Sequence, residues 1–299
     1  GWIPTTDDDV TDAPVKGNDE GIFAYGYTGS NVDESNLVSN TGVVSSDVTG
    51  VGTDRRYVAA CEYGDDKGIF GYGYASSTVS MSNLVSNAGV VATDVTGVGT
   101  ARAELAAGSY GGDKGIFGFG AGPLSMTNLV SNAGVVGTDV TGVGTARQEC
   151  SACEYGGDKG IFGFGYDAST YTAVTNLVSN AGVVATDVTG VGTARSASAA
   201  CSYGYDKGIF GYGNTPSNTA VTNLVSNAGV VATDVTGVGT VRYSLAATQY
   251  GQDKGIFGFG FDGSSYFGVT NLVSNAGVVA TDVAAVGTAR RGLGGCSFN

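Results

Sequence analysis

Apolar residues along this chain fall in short runs rather than on a helical stripe, and each run ends in turn chemistry. In the stretch ARAELAAGSYGGDKGIFGFG, continuing as AGPLSMTNLVSNAGVVGTDVTGVGT, β-type segments are closed in turn by GGDK, by an AGP-type loop, by SNAG and by TGVG. Four strands per unit are expected. No window holds a 3.6-residue apolar period, and glycine every few residues opposes a helix.

The unit repeats. GIF recurs at Gly21, Gly68, Gly115, Gly160, Gly208 and Gly255, with spacings of 47, 47, 45, 48 and 47 residues, and NLVSN follows each copy. A period near 47 residues with four strands per unit is the signature of a propeller blade. The predicted fold is therefore all-β: a six-bladed β-propeller of four-stranded blades over residues 19–299, preceded by an irregular acidic arm at 1–18. The last copy stops at RRGLGGCSFN, matching only a first strand, with Leu293 in the place of Leu105 and Phe298 in that of Tyr110. Its missing second strand is EGIFAYG, Glu20 to Gly26, so the ring is expected to close by pairing the two ends of the chain.

Alternation places Phe70 and Tyr72 on one side of their strand and Ile69, Gly71 and Gly73 on the other. Recurrence assigns the aromatic side, with Leu84, Val85, Val90 and Val91, to packing. Arg55, Arg102, Arg147, Arg195, Arg242 and Arg290 share one slot. Asp47, Asp94, Asp139, Asp187, Asp234 and Asp282 share another, eight residues earlier. Six of each beside the crossovers are expected to tie crossovers to blades; the functional alternative is six anion sites. Lys67, Lys114, Lys159, Lys207 and Lys254 read as solvated turn residues.

The order of an Arg, a small apolar strand, a GGDK turn, an Ile-Phe strand ending in Gly, a polar loop and a hairpin resembles a kelch-type propeller repeat. It departs from that pattern in having GYG or GFG (Gly71 to Gly73, Gly118 to Gly120) for adjacent glycines, and no Trp in any blade. The near-identical copies also resemble repeats of predicted tail and surface proteins of marine bacteriophages. That likeness implies a particle-surface or secreted setting and no mechanism.

Composition narrows the chemistry. With no His, neither a Ser/His/Asp triad nor a Cys/His dyad can form, and the commonest neutral metal ligand is missing. A net charge of −13 with no basic cluster argues against nucleic acid. No run of about 18 apolar residues is present to insert in a membrane. The chain begins at Gly1 without a signal-peptide pattern, as expected of a processed or recombinant chain. Asp7, Asp8, Asp9 and Asp12 read as a solvated arm, lacking the Gly and Glu positions of a calcium loop. No metal or cofactor is expected.

Copies differ chiefly in the loop between second and third strands and just after the repeated Arg, and these segments should share one face. Tyr27, Arg56, Tyr57 and Tyr74 lie there in the early copies. Tyr166, Asp167 and Tyr171 follow in the middle, and Tyr243, Phe261, Asp262 and Tyr266 near the end. Flat rings beside hydroxyl and carboxylate acceptors suit sugars. The leading expectation is a non-enzymatic binding module for a glycan or cell-surface receptor, lectin- or adhesin-like. The alternative is a structural or decoration protein of a larger assembly. An enzyme acting on glycosides comes third, because Glu62, Glu104, Glu149 and Glu154 lie on or beside channel-lining strands where paired carboxylates work.

Five cysteines remain: Cys61, Cys150, Cys153, Cys201 and Cys296. Four share one slot, so Cys61 with Cys296 and Cys153 with Cys201 are candidate disulfides between neighbouring blades. The alternative is small buried thiols in a slot that also accepts Gly108 and Thr248.

Overall fold

The computed structural model describes residues 19–298; the predicted arm at 1–18 lies outside the described residues. The described residues form six three-stranded antiparallel sheets and no helix. In the first, β1 (Glu20–Tyr27) lies between β2 (Asn31–Val38) and β18 (Gly294–Phe298). The second holds β3 (Ala59–Tyr63), β4 (Lys67–Gly71) and β5 (Ser82–Val85). The third holds β6 (Ala106–Tyr110), β7 (Lys114–Gly120) and β8 (Leu124–Val130). β9 (Ser151–Tyr155), β10 (Lys159–Gly163) and β11 (Thr175–Val178) make the fourth. β12 (Ala199–Tyr203), β13 (Lys207–Gly211) and β14 (Thr222–Val225) make the fifth. The sixth is β15 (Ala246–Tyr250), β16 (Lys254–Phe261) and β17 (Tyr266–Val273). The chain ends do pair: Ile22 faces Cys296 and Glu20 faces Phe298.

The expected fourth strand is not one. The segment after SNAG touches the third strand through isolated bridges only, Val85 to Val91 and Ser82 to Val95 in the second copy. Side chains take over from the ladder there: Asn83 Nδ2 donates to Ala92 O (2.9 Å) and to Asp94 Oδ1 (2.9 Å). This outermost segment leaves Val90 64% exposed, so the first valine of each GVV is a surface residue rather than packing.

β3 packs against β6, β6 against β9, β9 against β12, β12 against β15, β15 against β18, and β18 against β3. Backbone bonds follow the same cycle: Gly26 N donates to Arg55 O, and Gly73, Gly120, Gly165, Gly213 and Gly260 donate likewise to Arg102, Arg147, Arg195, Arg242 and Arg290. The core lies between successive sheets. Tyr72 of the second copy meets Phe117 of the third edge-to-face at 5.2 Å, and the other copies repeat the pair.

Both glycines of GIFG are explained by what the neighbouring sheet inserts. A Cβ at Gly71, Gly118, Gly163, Gly211 or Gly258 would come within 2.7–3.1 Å of a phenylalanine ring from the next sheet. The first sheet carries Ala24 at this place, and there Phe70 leans instead on Gly294, the residue paired with Ala24. Elsewhere the pair is reversed, as in Ala59 opposite Gly71. One methyl is therefore moved across the ladder at constant volume.

The disulfide expectation is overturned: all five cysteines are free and buried. The reason is direction. Sγ of Cys296 rests on Gly68, that of Cys61 on Gly115, that of Cys153 on Gly208 and that of Cys201 on Gly255, each a GIF glycine of the next sheet. Each thiol fills the gap left by a missing side chain instead of turning toward another sulfur. Burial pushes the Cys201 thiol up to about 12 and that of Cys150 up to about 11, so neither is a nucleophile at neutral pH.

Two predictions follow from this packing. Gly115→Ala drives a methyl into Cys61 Sγ and should cost about 1–3 kcal/mol in urea unfolding. Cys61→Gly should restore part of that loss, since Gly108 already occupies the slot in the next copy; an unrescued double variant would contradict the account. Native protein should resist alkylation at all five thiols and take up five labels once unfolded, by intact mass.

Candidate ligand-binding site

The six repeated arginines are 0–1% exposed, which removes them as anion sites. Arg55 Nε donates to Tyr72 O (2.9 Å), Nη1 to Thr53 O (3.2 Å) and Nη2 to Asn83 Oδ1, while its guanidinium lies 4.1 Å from the centre of the Tyr25 ring in the preceding sheet. Its carboxylate is not Asp47, eight residues earlier, but Asp94 of its own sheet at 3.7 Å. Asp94 also takes Thr53 N and Oγ1 from the incoming crossover. Arg290 and Asp47 repeat this across the chain ends, at 3.9 Å.

This frame sets the variable face. Two residues after the slot arginines, Tyr57, Glu104, Glu149, Ala197, Ser244 and Gly292 all adopt left-handed backbone, φ 50–63°. Their amides form a cycle: Tyr57 N donates to Gly292 O (2.6 Å), Gly292 to Ser244 (2.8 Å), Ser244 to Ala197 (2.9 Å), Ala197 to Glu149 (2.9 Å), Glu149 to Glu104 (2.8 Å) and Glu104 to Tyr57 (3.3 Å). Five non-glycine residues held in this region are strained, and the hydrogen bonds hold them there. The cycle rims a cavity of about 70 Å³ floored by Val58, Leu105, Cys150, Leu245 and Leu293.

One residue earlier in five of the six copies, the backbone pairs with the variable loop: Arg56 with Tyr74, Gln148 with Tyr166, Ser196 with Asn214, Tyr243 with Phe261 and Arg291 with Tyr27. The expected single variable face is therefore present. It divides into two sectors. In the larger, spanning the sixth, first and second sheets, Phe261 packs on Tyr266 (4.9 Å) and Tyr243 (5.7 Å), and Tyr266 meets Tyr27 (6.2 Å). Arg56 lies over Tyr27 (4.6 Å), Tyr74 (4.7 Å) and Tyr57 (5.6 Å). In the smaller, Tyr166 and Tyr171 pair at 5.5 Å in the fourth copy, with Asn214 Nδ2 donating to Tyr171 Oη (3.3 Å).

The two candidate aspartates shape their own loops. Asp167 accepts from Ser169 N and Oγ and from Thr170 N at 2.7–2.8 Å, and these bonds hold its carboxyl down at about 2. Asp262 accepts from Ser264 N (2.8 Å) and Ser265 N (2.7 Å). Both carboxylates brace Asx turns within their own loops through Oδ1. Sequence reasoning missed Arg291, which lies over Phe261 (4.4 Å) and Tyr27 (5.7 Å). It also missed Asn31, whose Oδ1 accepts from Arg56 Nη1 (3.0 Å). The Arg290-Arg291 doublet mirrors Arg55-Arg56 and was the available signal.

No protein-family model and no curated protein matches this chain. The kelch-type likeness therefore rests on its residue pattern alone. Among the described residues no group of three or more His, Cys, Asp or Glu is placed to hold a metal.

The channel glutamates separate. Glu62 and Glu154 line a second cavity at the far ends of the first strands, where Ser297 Oγ bonds to Glu62. Glu104 and Glu149 share the rim, and Ser196 Oγ donates to Glu149. Burial, reinforced by the charge of Glu149 and opposed by Arg56, pushes the Glu104 carboxyl from 4.5 up to about 7. The folded state then holds a proton that the unfolded chain releases near pH 4.5, so stability falls as pH rises from about 4.5 through about 7. The loss should be about 1–2 kcal/mol after allowing for partial exposure. Urea midpoints across that window, with and without Glu104→Gln, check this; the same slope in the variant would refute it.

Proposed function

We propose that this chain is a six-bladed β-propeller closed by its own termini, acting as a non-enzymatic glycan- or receptor-binding module of a secreted or particle-surface protein. The carrying observation is the sector joining Tyr243, Phe261, Tyr266, Tyr27 and Tyr74. Four partly exposed rings adjoin, and Arg56 links Tyr74 to them through Tyr27, on the one face where the copies differ, mounted on a frame in which the copies agree. Such rings accept the C–H face of a pyranose while loop serines, asparagines and tyrosine hydroxyls meet its hydroxyls. The cyclic order of inner-strand contacts and the paired termini support the propeller reading.

A second reading, a component of a larger assembly, draws on a different feature. Val43, Val90, Val135, Val183, Val230 and Val278 are each about two-thirds exposed on the outer segments. Apolar repetition of that kind fits contacts with neighbouring molecules.

A glycan array read against Tyr266→Ala and Tyr171→Ala separates the two. Loss of a tyrosine platform should weaken binding about tenfold, near 1.4 kcal/mol, for Tyr266→Ala and leave Tyr171→Ala unchanged. Absence of any saccharide binding by the wild type would reject the lectin reading in favour of assembly.

A further inference from the structure

Almost every cation described in this acidic protein is already matched. The five turn lysines each bond the preceding aspartate, and the six slot arginines face the repeated aspartates. Arg56 and Arg291 are the exceptions: among the described residues neither has a carboxylate within ion-pair distance. They flank one ring, Tyr27, and are held by aromatic faces. Arg291 Nε is buried with no hydrogen-bond partner. Arg56 spends one nitrogen on Asn31 Oδ1, and Asn31 is itself anchored through Nδ2 to Ala75 O (2.9 Å) and Tyr74 O (3.2 Å).

Aromatic faces orient a guanidinium without consuming its in-plane donors. Two such groups beside a stacking platform are equipped for a planar or tetrahedral anion borne on the ligand. Resting on the glycan reading above, we propose that the Tyr27 sector binds an acidic sugar, with Arg56 and Arg291 receiving its carboxylate or sulfate ester while Tyr266 and Phe261 carry the ring.

The test uses matched oligosaccharides, titrated calorimetrically into the full chain. Oligogalacturonate is compared with its methyl ester, and a sulfated galactan oligomer with its desulfated form. The charged member of at least one pair should bind tenfold or more tighter, should weaken with added salt, and should lose that advantage in Arg291→Met while keeping part of it in Arg291→Lys. The pair that responds tells carboxylate from sulfate. Equal binding of charged and neutral members overturns the proposal and leaves the glycan reading standing. A charge preference unaltered in Arg291→Met and Arg56→Met overturns the site. No binding by any of the four probes or by a glycan array rejects both.

Discussion

The buried guanidinium is the joint on which the architecture depends. Each slot arginine lies on the aromatic ring of the preceding sheet while bonding the threonine carbonyl of its own crossover. In five of the six copies its Nε reaches the carbonyl of Tyr72 or its equivalent, residues held at φ 61–66° where the second strand ends or shifts register; Arg195 keeps the ring and threonine contacts without that bond. A left-handed aromatic is costly, by about 1–3 kcal/mol, and survives only where its surroundings over-determine it. Capturing its carbonyl and stacking on its ring accomplish that from two sheets at once. The aspartate completes the joint. Burial raises its pKa, but the bonds from Thr, Asn and backbone outweigh this and hold it ionised below the usual carboxylate range.

Because the joint is repeated in every copy, the residues immediately beyond it are carried to the same place each time. The strained cycle from Tyr57 to Gly292 is one result. It gives this end of the first strands a rim of backbone amides whose hydrogen bonds do not depend on the side chains there. Variation can therefore gather at Arg56, Glu104, Glu149 and Arg291 without cost to the interior. The two arginines and two glutamates fall in different copies, so the rim is charged unequally around its circumference.

Much of this was legible in the sequence, for identifiable reasons. The period, the strand runs and the pairing of EGIFAYG with the C-terminal segment were readable because each copy is a local unit with its own turn signals. Tyr27, Tyr74, Phe261 and Tyr266 were readable as surface candidates because they vary where neighbouring positions do not. Other features were hidden. Alternation could not reveal that Tyr72 turns left-handed just past the end of its strand, or that Asn83 and Asp94 replace a fourth ladder with side-chain bonds. Which aspartate each slot arginine meets was not readable either: Asp47 lies eight residues before Arg55 in sequence, whereas the fold brings Asp94.

The cysteines show the division most clearly. Their shared slot follows from the repeat, and their adjacency from its cyclic order; both are properties of the sequence. Whether neighbouring thiols join depends on where each Cα–Cβ vector points, and packing against the GIF glycine of the next sheet decides that. The same holds for the binding face. The sequence by itself determined which loops vary and that they lie together. Only the tertiary structure decided that Tyr27 is flanked by Arg56 and Arg291 while Asp167 and Asp262 turn inward to their own loops, because a side chain's availability is set by the donors and rings that surround it in space.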